Sequence, residues 1–490
     1  MKFIRKGTLL HTKSKWLFGK TRWGIGVVLA LIGMLGTILG VPALGNQIRT
    51  EVPGLRCWMP VPMDSSKFTV VMSPFVTVNA QGRVRTTRDG RELARMLYAR
   101  LESSFDALDL DIPYELRSPD QSCPVLGATR EDRAASAEDW ATTINADVVI
   151  YGAIQVAATD SGDNTELQPE FYVTYRGFAE ASELVGPHQL GRPLRVTVPV
   201  QTDALEGVAD HPVNARAQAL SLIALGLASY AVDDHAQALD YFTAADEVSN
   251  WPASAGKEML YMLMGNSASR LASTTLDSAY VDEALDYFDQ ALEIDPDYVR
   301  ALVGEASAIY QLALGNLQTR AGSQVDLDLL DEAEALYQQA AAMDAPEAAE
   351  IELKTRFGLG QIYLVRHYLQ VEGGDWLTQA RSEFQTMVET YLASGARNRD
   401  LIGHAYARLA LIASQIDSDP TAAIPLYEDA ITLVTPRWQA QYGLDLGDLY
   451  VAREDVEQAR ATYEDARAIA ELYGNETLAT RADEKLDALP

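Results

Sequence analysis

Cysteine is scarce in this chain, with two among 490 residues, and so are histidine, with six, and aromatic side chains, at 8 %. His11, His188, His211, His235, His367 and His404 form no pair at helical metal-ligand spacing, and there is no CxxC, so the ligand sets that zinc requires are absent. No GxSxG elbow and no phosphate-cradling GxxxxGK[ST] loop is present, so catalysis has no visible seat. Gly358 and Gly360 in FGLGQIY follow no strand and read as helix-packing positions rather than a dinucleotide loop. The acids Asp326, Asp328, Asp331, Glu332 and Glu334 lack the glycine turn and register of a calcium loop; they read as a helix start, where acids complement the dipole. The expectation is a protein with no cofactor, no metal and no enzymatic activity.

Basic residues are also few, 40 against 69 acidic ones. Seven of them fall within residues 1–43, which hold no acid, and the rest of the chain carries 33 bases against 69 acids. Such acidity repels phosphate backbones and anionic lipid surfaces, which excludes nucleic acid as a partner of the main body. Its plainest meaning is a coat of solvated helix faces.

Long apolar runs are limited to one, from Trp23 to Val41, broken only by Thr37. Its length as a helix, about 28 Å, matches the hydrocarbon layer of a bilayer. Lys2, Arg5, Lys6, Lys13, Lys15, Lys20 and Arg22 precede it. The positive-inside rule then makes 1–22 a cytoplasmic tail, 23–43 a single transmembrane helix and all that follows extracytoplasmic. A second reading stays open, a cleaved secretory signal with Val41 and Ala43 at the cleavage site. Gly26, Ala30, Gly33, Thr37 and Gly40 share one stripe of the helix, where small residues let two backbones approach, so a homodimer through the membrane helix is one expectation. Cys57 and Cys123 both fall in the first exported segment. Export favours a disulfide between them, and two buried free thiols are the alternative.

Residues 44–66, with Pro53, Pro60 and Pro62 and no periodicity, read as a linker. Lys67 to Phe75 is a buried strand ending near a proline. Leu93, Leu97, Leu101 and Phe105 recur every four residues, which places an amphipathic helix over 89–108. A second helix is expected over 136–144, then strands over 147–155, 169–178 and 193–200, giving an α/β domain at 67–200. VVMSPF, GRELARMLYARL and INADVVIYGAI within it resemble the N-terminal domain of TolB-like proteins.

From residue 214 the chain turns alanine-rich and helical, and a pattern recurs: Ala238, Phe242, Ala245; Ala284, Phe288, Ala291; Ala333, Tyr337, Ala340; Ala380, Phe384, Met387; Ala423, Tyr427, Ala430; Ala459, Tyr463, Ala466. Each triplet suits the second helix of a helix pair, the small residues permitting close approach and the aromatic filling the gap. Gly226, Gly265, Gly360 and Gly447 are the matching small positions on the first helices. This pattern resembles the tetratricopeptide repeat family, and 214–490 is expected to form about six repeats.

The fold class expected is therefore an α/β domain followed by an all-α repeat superhelix, behind one membrane helix. The resemblance implies that first helices line a concave groove for a protein or peptide partner, and points to Tyr230, Asn266, Glu305, Gln361 and Asp448. The functional expectation is an anchored scaffold that recruits another protein. The alternative is a sensor: a membrane helix, a TolB-like domain and repeats resemble the outer half of certain bacterial receptors.

Overall fold

The computed structural model describes residues 57–107, 112–156, 165–176, 178, 181–196, 211–275, 277–315, 325–343, 351–394 and 398–490. The basic tail, the apolar run with Gly26, Ala30, Gly33 and Gly40, and the linker as far as residue 56 lie outside the described residues. Among the described residues no helix is long and apolar enough to cross a membrane.

An N-terminal α/β region precedes a helical repeat region. The sheet is organised around β5 (Val148–Val156). Along one edge of it run β1 (Phe68–Met72) and β2 (Val76–Val78), both parallel, and along the other β6 (Thr165–Val173), antiparallel. β1 and β2 are separate because Pro74 has no N–H to give; the Phe75 N–H turns outward to the carbonyl of Gly90. β4 (Tyr114–Arg117) extends the sheet beside β1, β3 (Val84–Thr86) beside β2, and β7 (Gly186–Gln189) and β8 (Leu194–Arg195) beside β6. Strand alternation splits the core in two. Phe68, Val70 and Met72 join the cluster of α1 (Arg88–Ala107), with its buried Leu93, Leu97, Leu101 and Phe105. Val71, Val149 and Tyr151 face α2 (Arg130–Ile144) through Ala137, Ala141 and Ile144.

Several elements depart from the sequence expectation. α2 begins at residue 130 rather than 136, because Thr129 and Asp132 form a reciprocal capping box. β6 begins at residue 165, four residues before Pro169, which pairs in register with Gly152. Residues 57–66 are not a loose linker: Met63 is buried, its N–H bonds to Ile144, and the carbonyl of Val61 accepts from Arg117. A disulfide joins Cys57 to Cys123, their Cα atoms 5.6 Å apart. It closes a loop across a sequence separation of 66. Replacing both cysteines by serine should lower the unfolding free energy by about 4 kcal/mol in the chain-entropy account. Denaturant titration tests this, and an unchanged midpoint for the double variant would count against it.

Among the described residues six helix pairs follow: α3 (Pro212–Ala231) with α4 (His235–Asp246), α5 (Glu258–Thr275) with α6 (Ala279–Ile294), and α7 (Val299–Leu314) with α8 (Leu327–Ala341). Then come α9 (Ile351–Tyr368) with α10 (Trp376–Ser394), α11 (Arg399–Leu411) with α12 (Pro420–Leu433), and α13 (Pro436–Ala452) with α14 (Val456–Leu472). α15 (Glu476–Asp487) covers the end. Aspartate or asparagine side chains cap α4, α8, α11, α12, α14 and α15, each accepting a first-turn N–H that would otherwise go unbonded.

All eighteen triplet residues are buried, none more than 5 % exposed. In five of the six pairs the aromatic of the second helix works as a wedge, Tyr427 of α12 being the one that meets no glycine among the described residues. Phe288 lies against Gly265 of its own pair and Gly304 of the next, and a Cβ on Gly265 would come within 2.7 Å of its ring. Phe242 meets Gly226, Tyr337 meets Gly358, Phe384 meets Gly360 and Tyr463 meets Gly447 in the same way. Stacking therefore follows from a ring set into backbone that carries no side chain. The two regions share one core: the cluster holding the sheet and α1 continues through α3 to α7.

Candidate functional site: the channel lined by the first helices

The first helices turn a polar stripe inward. Asn266, Ser269 and Arg270 of α5, Ser307 and Gln311 of α7, and Lys354 and Gln361 of α9 recur at helical intervals of three, four and seven. With Asp400 and His404 of α11 and Trp438 of α13 they wall a cavity of about 260 Å³. A second cavity of about 360 Å³ also contains Arg270; its wall runs from Tyr230 and His235 in the first pair to Thr435, Ile469 and Tyr473 in the last. The repeats thus wind until their ends face one another across a channel.

The β6–β7 loop of the α/β region enters this channel. Phe178 stacks on Tyr230, with ring centroids 6.0 Å apart. Glu183, 1 % exposed, pairs through Oε1 with Lys354 of α9. Arg300 of α7 donates through Nη1 to the carbonyls of Glu183 and Val185, the latter at 2.6 Å. In the lining of the same cavity Asp400, 4 % exposed, accepts the Thr435 N–H through Oδ1 at 2.6 Å. Its Oδ2 stands 3.1 Å from Nε2 of His404, without the alignment of a hydrogen bond. His404 Nδ1 is 2.7 Å from the Tyr442 hydroxyl, and the ring lies edge-on to Trp438.

Of the five groove residues expected from sequence, Asn266 and Gln361 line the first cavity and Tyr230 the second. Tyr230 is buried, and its hydroxyl accepts from Arg270 Nε at 3.3 Å. Glu305 lines neither cavity, for a reason of register. Gly304 faces the aromatic of the preceding pair, as Gly358 does, whereas Gly265 and Gly360 face that of their own pair. The groove position on α7 is therefore Ser307, and Glu305 is turned toward Asp289 and Glu332 on the second helices. Asp448 lines neither cavity: its side chain is half exposed and is tied to α14 and α15, where Lys485 donates to both its oxygens, at 2.6 and 2.7 Å, and the Tyr463 hydroxyl donates to it at 2.6 Å. Lys354, Asp400 and Trp438 could have been found by extending the inward stripe from Gln361. Glu183 carries no such signal, because it lies in a single 3-10 turn, Ser182–Leu184, too short to show a periodic face.

Burial, with Asp289 and Glu332 nearby, pushes the Glu305 carboxyl from its ordinary 4.5 up to about 7. A folded-state value above the unfolded one means that the fold binds more protons between these two points. Stability should therefore fall as pH rises from 4.5 to about 7. Glu305→Gln should flatten that slope and make the protein more stable than wild type at alkaline pH. Urea titrations at several pH values check this, and parallel profiles for the two proteins would refute it.

Among the described residues no group of three His, Cys, Asp or Glu side chains stands ready to hold a metal ion. The channel offers fixed acceptors, donors and aromatic faces, which is the equipment of a binding site.

In comparison with known proteins, the tetratricopeptide repeat family matches residues 261–298, which span most of α5 and all of α6. No curated protein sequence matches the chain. Among solved structures, the human IFIT1 dimer with PPP-AAAA aligns over 95 % of this chain and 84 % of its own, at 12 % identity and a TM-score of 0.40. YrrB, a TPR protein with an unusual peptide-binding site, aligns over 50 % of this chain and 97 % of its own, at 19 % identity and a TM-score of 0.25. TTC0263, a thermophilic TPR protein of Thermus thermophilus, aligns over 55 % and 98 %, at 13 % identity and a TM-score of 0.27. A monomeric IFIT1 mutant aligns over 58 % of this chain and 65 % of its own length, at 13 % identity and a TM-score of 0.37. At such scores, what those proteins bind stays with them.

Proposed function

We propose that this chain is a non-catalytic interaction scaffold, held on the outer side of a membrane by its N-terminal apolar segment, whose repeat channel receives a segment of a partner protein. The channel itself carries this reading: two cavities that share Arg270 in their walls, lined by polar and aromatic side chains from successive repeats. The tether rests on the apolar run from Trp23 to Val41 and the basic residues before it. The α/β region, with its resemblance to TolB-like domains, serves as a second binding module that also fixes the first repeats.

One observation favours the sensor as a second reading. Glu183 of the α/β region forms part of the channel wall, so an occupant touches both regions at once.

A photoreactive residue at Gln361, in the channel, and another at the exposed Glu389 of α10 test the scaffold in intact cells. The expected result is one extracytoplasmic protein crosslinked from residue 361 and not from 389. Equal yields from both positions would overturn the proposed channel site, and a cytoplasmic regulator as the co-purifying partner would favour the sensor. The outward topology is tested at Leu472, 77 % exposed. After replacement by cysteine it should react with an impermeant maleimide on whole cells; labelling only after lysis would defeat the tether.

A further inference from the structure

We infer that the channel selects an organic cation, an ammonium or guanidinium group that seats between Glu183 and Asp400. This rests on the reading of the channel as the contact site and adds the chemistry of what enters it. The first ground is hydrogen-bond bookkeeping. Glu183 and Asp400 are each more than nine-tenths buried, and each has one oxygen engaged, by Lys354 and by the Thr435 N–H. Glu183 Oε2 has no hydrogen-bond partner, and Asp400 Oδ2 has none either, with only the His404 Nε2 near it at 3.1 Å and out of line. Ser269 Oγ, on the same wall, has none either. A buried carboxylate oxygen left unbonded is costly, and every one of these three atoms is an acceptor. A ligand that brings N–H groups supplies the donors these oxygens lack, and an anion supplies none.

The second ground is the rest of the wall. Tyr310, Phe357 and Trp438 line the same cavity, and aromatic rings attract cations through their negative faces. A volume of about 260 Å³ accommodates the end of a long basic side chain or a small free amine. Beyond the cavity, the large excess of acid over base in the chain raises the local concentration of cations. Lys354 and Arg270, also in the wall, oppose a cation. The charge of Lys354 is already matched by Glu183 Oε1, and Arg270 turns its Nε to the Tyr230 hydroxyl in the second cavity.

The test is calorimetric titration of the full chain in detergent with two sets of probes. One set is the free amines agmatine and 1,5-diaminopentane, with 1,5-pentanediol as the neutral control. The other is blocked peptides carrying one central lysine or arginine, with norleucine and citrulline as neutral counterparts. The cationic member of a set should bind about tenfold more tightly or better, as expected for hydrogen bonds to a charged group. Asp400→Asn, which keeps the acceptor for Thr435, should remove that preference; Ser269→Ala should weaken cation binding with the melting temperature unchanged. Preference within the peptide set alone assigns the cation to a partner's side chain, and preference among the free amines assigns it to a small ligand; both support the inference. Equal affinity for charged and neutral peptides would overturn the cation assignment and leave the channel reading standing. No binding by any probe would overturn both.

Discussion

Phe288→Ala should cost about 3–5 kcal/mol of unfolding free energy, the range for removing a fully buried phenylalanine from a core that cannot collapse. The site cannot collapse because the ring is held between Gly265 and Gly304, backbone positions in two successive repeats with no side chain to move into the gap. Repeat arrays are stabilised by nearest-neighbour interfaces, so the loss falls on one junction. The single unfolding transition should then divide, with the α/β region and first repeats melting apart from the repeats beyond α7. Circular dichroism during guanidinium titration reads both the loss and the division, and a loss below about 1 kcal/mol would mean that the wedge is dispensable. Gly304→Val should be comparably damaging from the opposite direction, since its side chain would occupy the space of the Phe288 ring.

Arg133→Met should be nearly as severe, at about 3–5 kcal/mol, because it strands Glu170 as a buried charge. The pair is almost solvent-free, its side chains 2 % and 1 % exposed, with two hydrogen bonds of 2.8 and 2.6 Å tying α2 to β6. Burial of an ion pair is a poor source of net stability compared with apolar residues of similar volume. The double variant Arg133→Met/Glu170→Met should therefore recover most of the loss. Should the double variant prove as unstable as the single one, the pair would have to be specifying the packing of α2 rather than merely balancing charge.

Much of the repeat architecture was legible in the sequence, since its cause is short-range and periodic. A small residue, a ring four residues on and another small residue three beyond that can be counted without knowing the fold, and the glycines that receive the rings stand at a matching spacing. Where glycines of two kinds share a helix type, counting fails. Gly304 and Gly358 receive the ring of the preceding pair, Gly265 and Gly360 that of their own, so the groove residue of α7 is Ser307, three residues beyond Gly304, and not Glu305 beside it. In the α/β region the longer strands and α1 were visible as apolar runs. β3, β4 and β7 were not, because three or four residues are too few to show alternation, whereas β8 falls within the strand expected over 193–200. The arrival of Glu183 in the channel depends on a contact with Lys354 across 171 positions, and no local pattern encodes it.

The bond between Cys57 and Cys123 also sets how the molecule carries mechanical load. Tension arriving along the chain from residues before 57 passes through sulfur into residue 123, which follows β4, and so bypasses the lead-in to β1. β1 is flanked by β4 and β5, and peeling such a strand from its end breaks hydrogen bonds one at a time. A covalent bypass removes that route, so the α/β region should resist a pull on its N-terminal side until the crosslink is reduced.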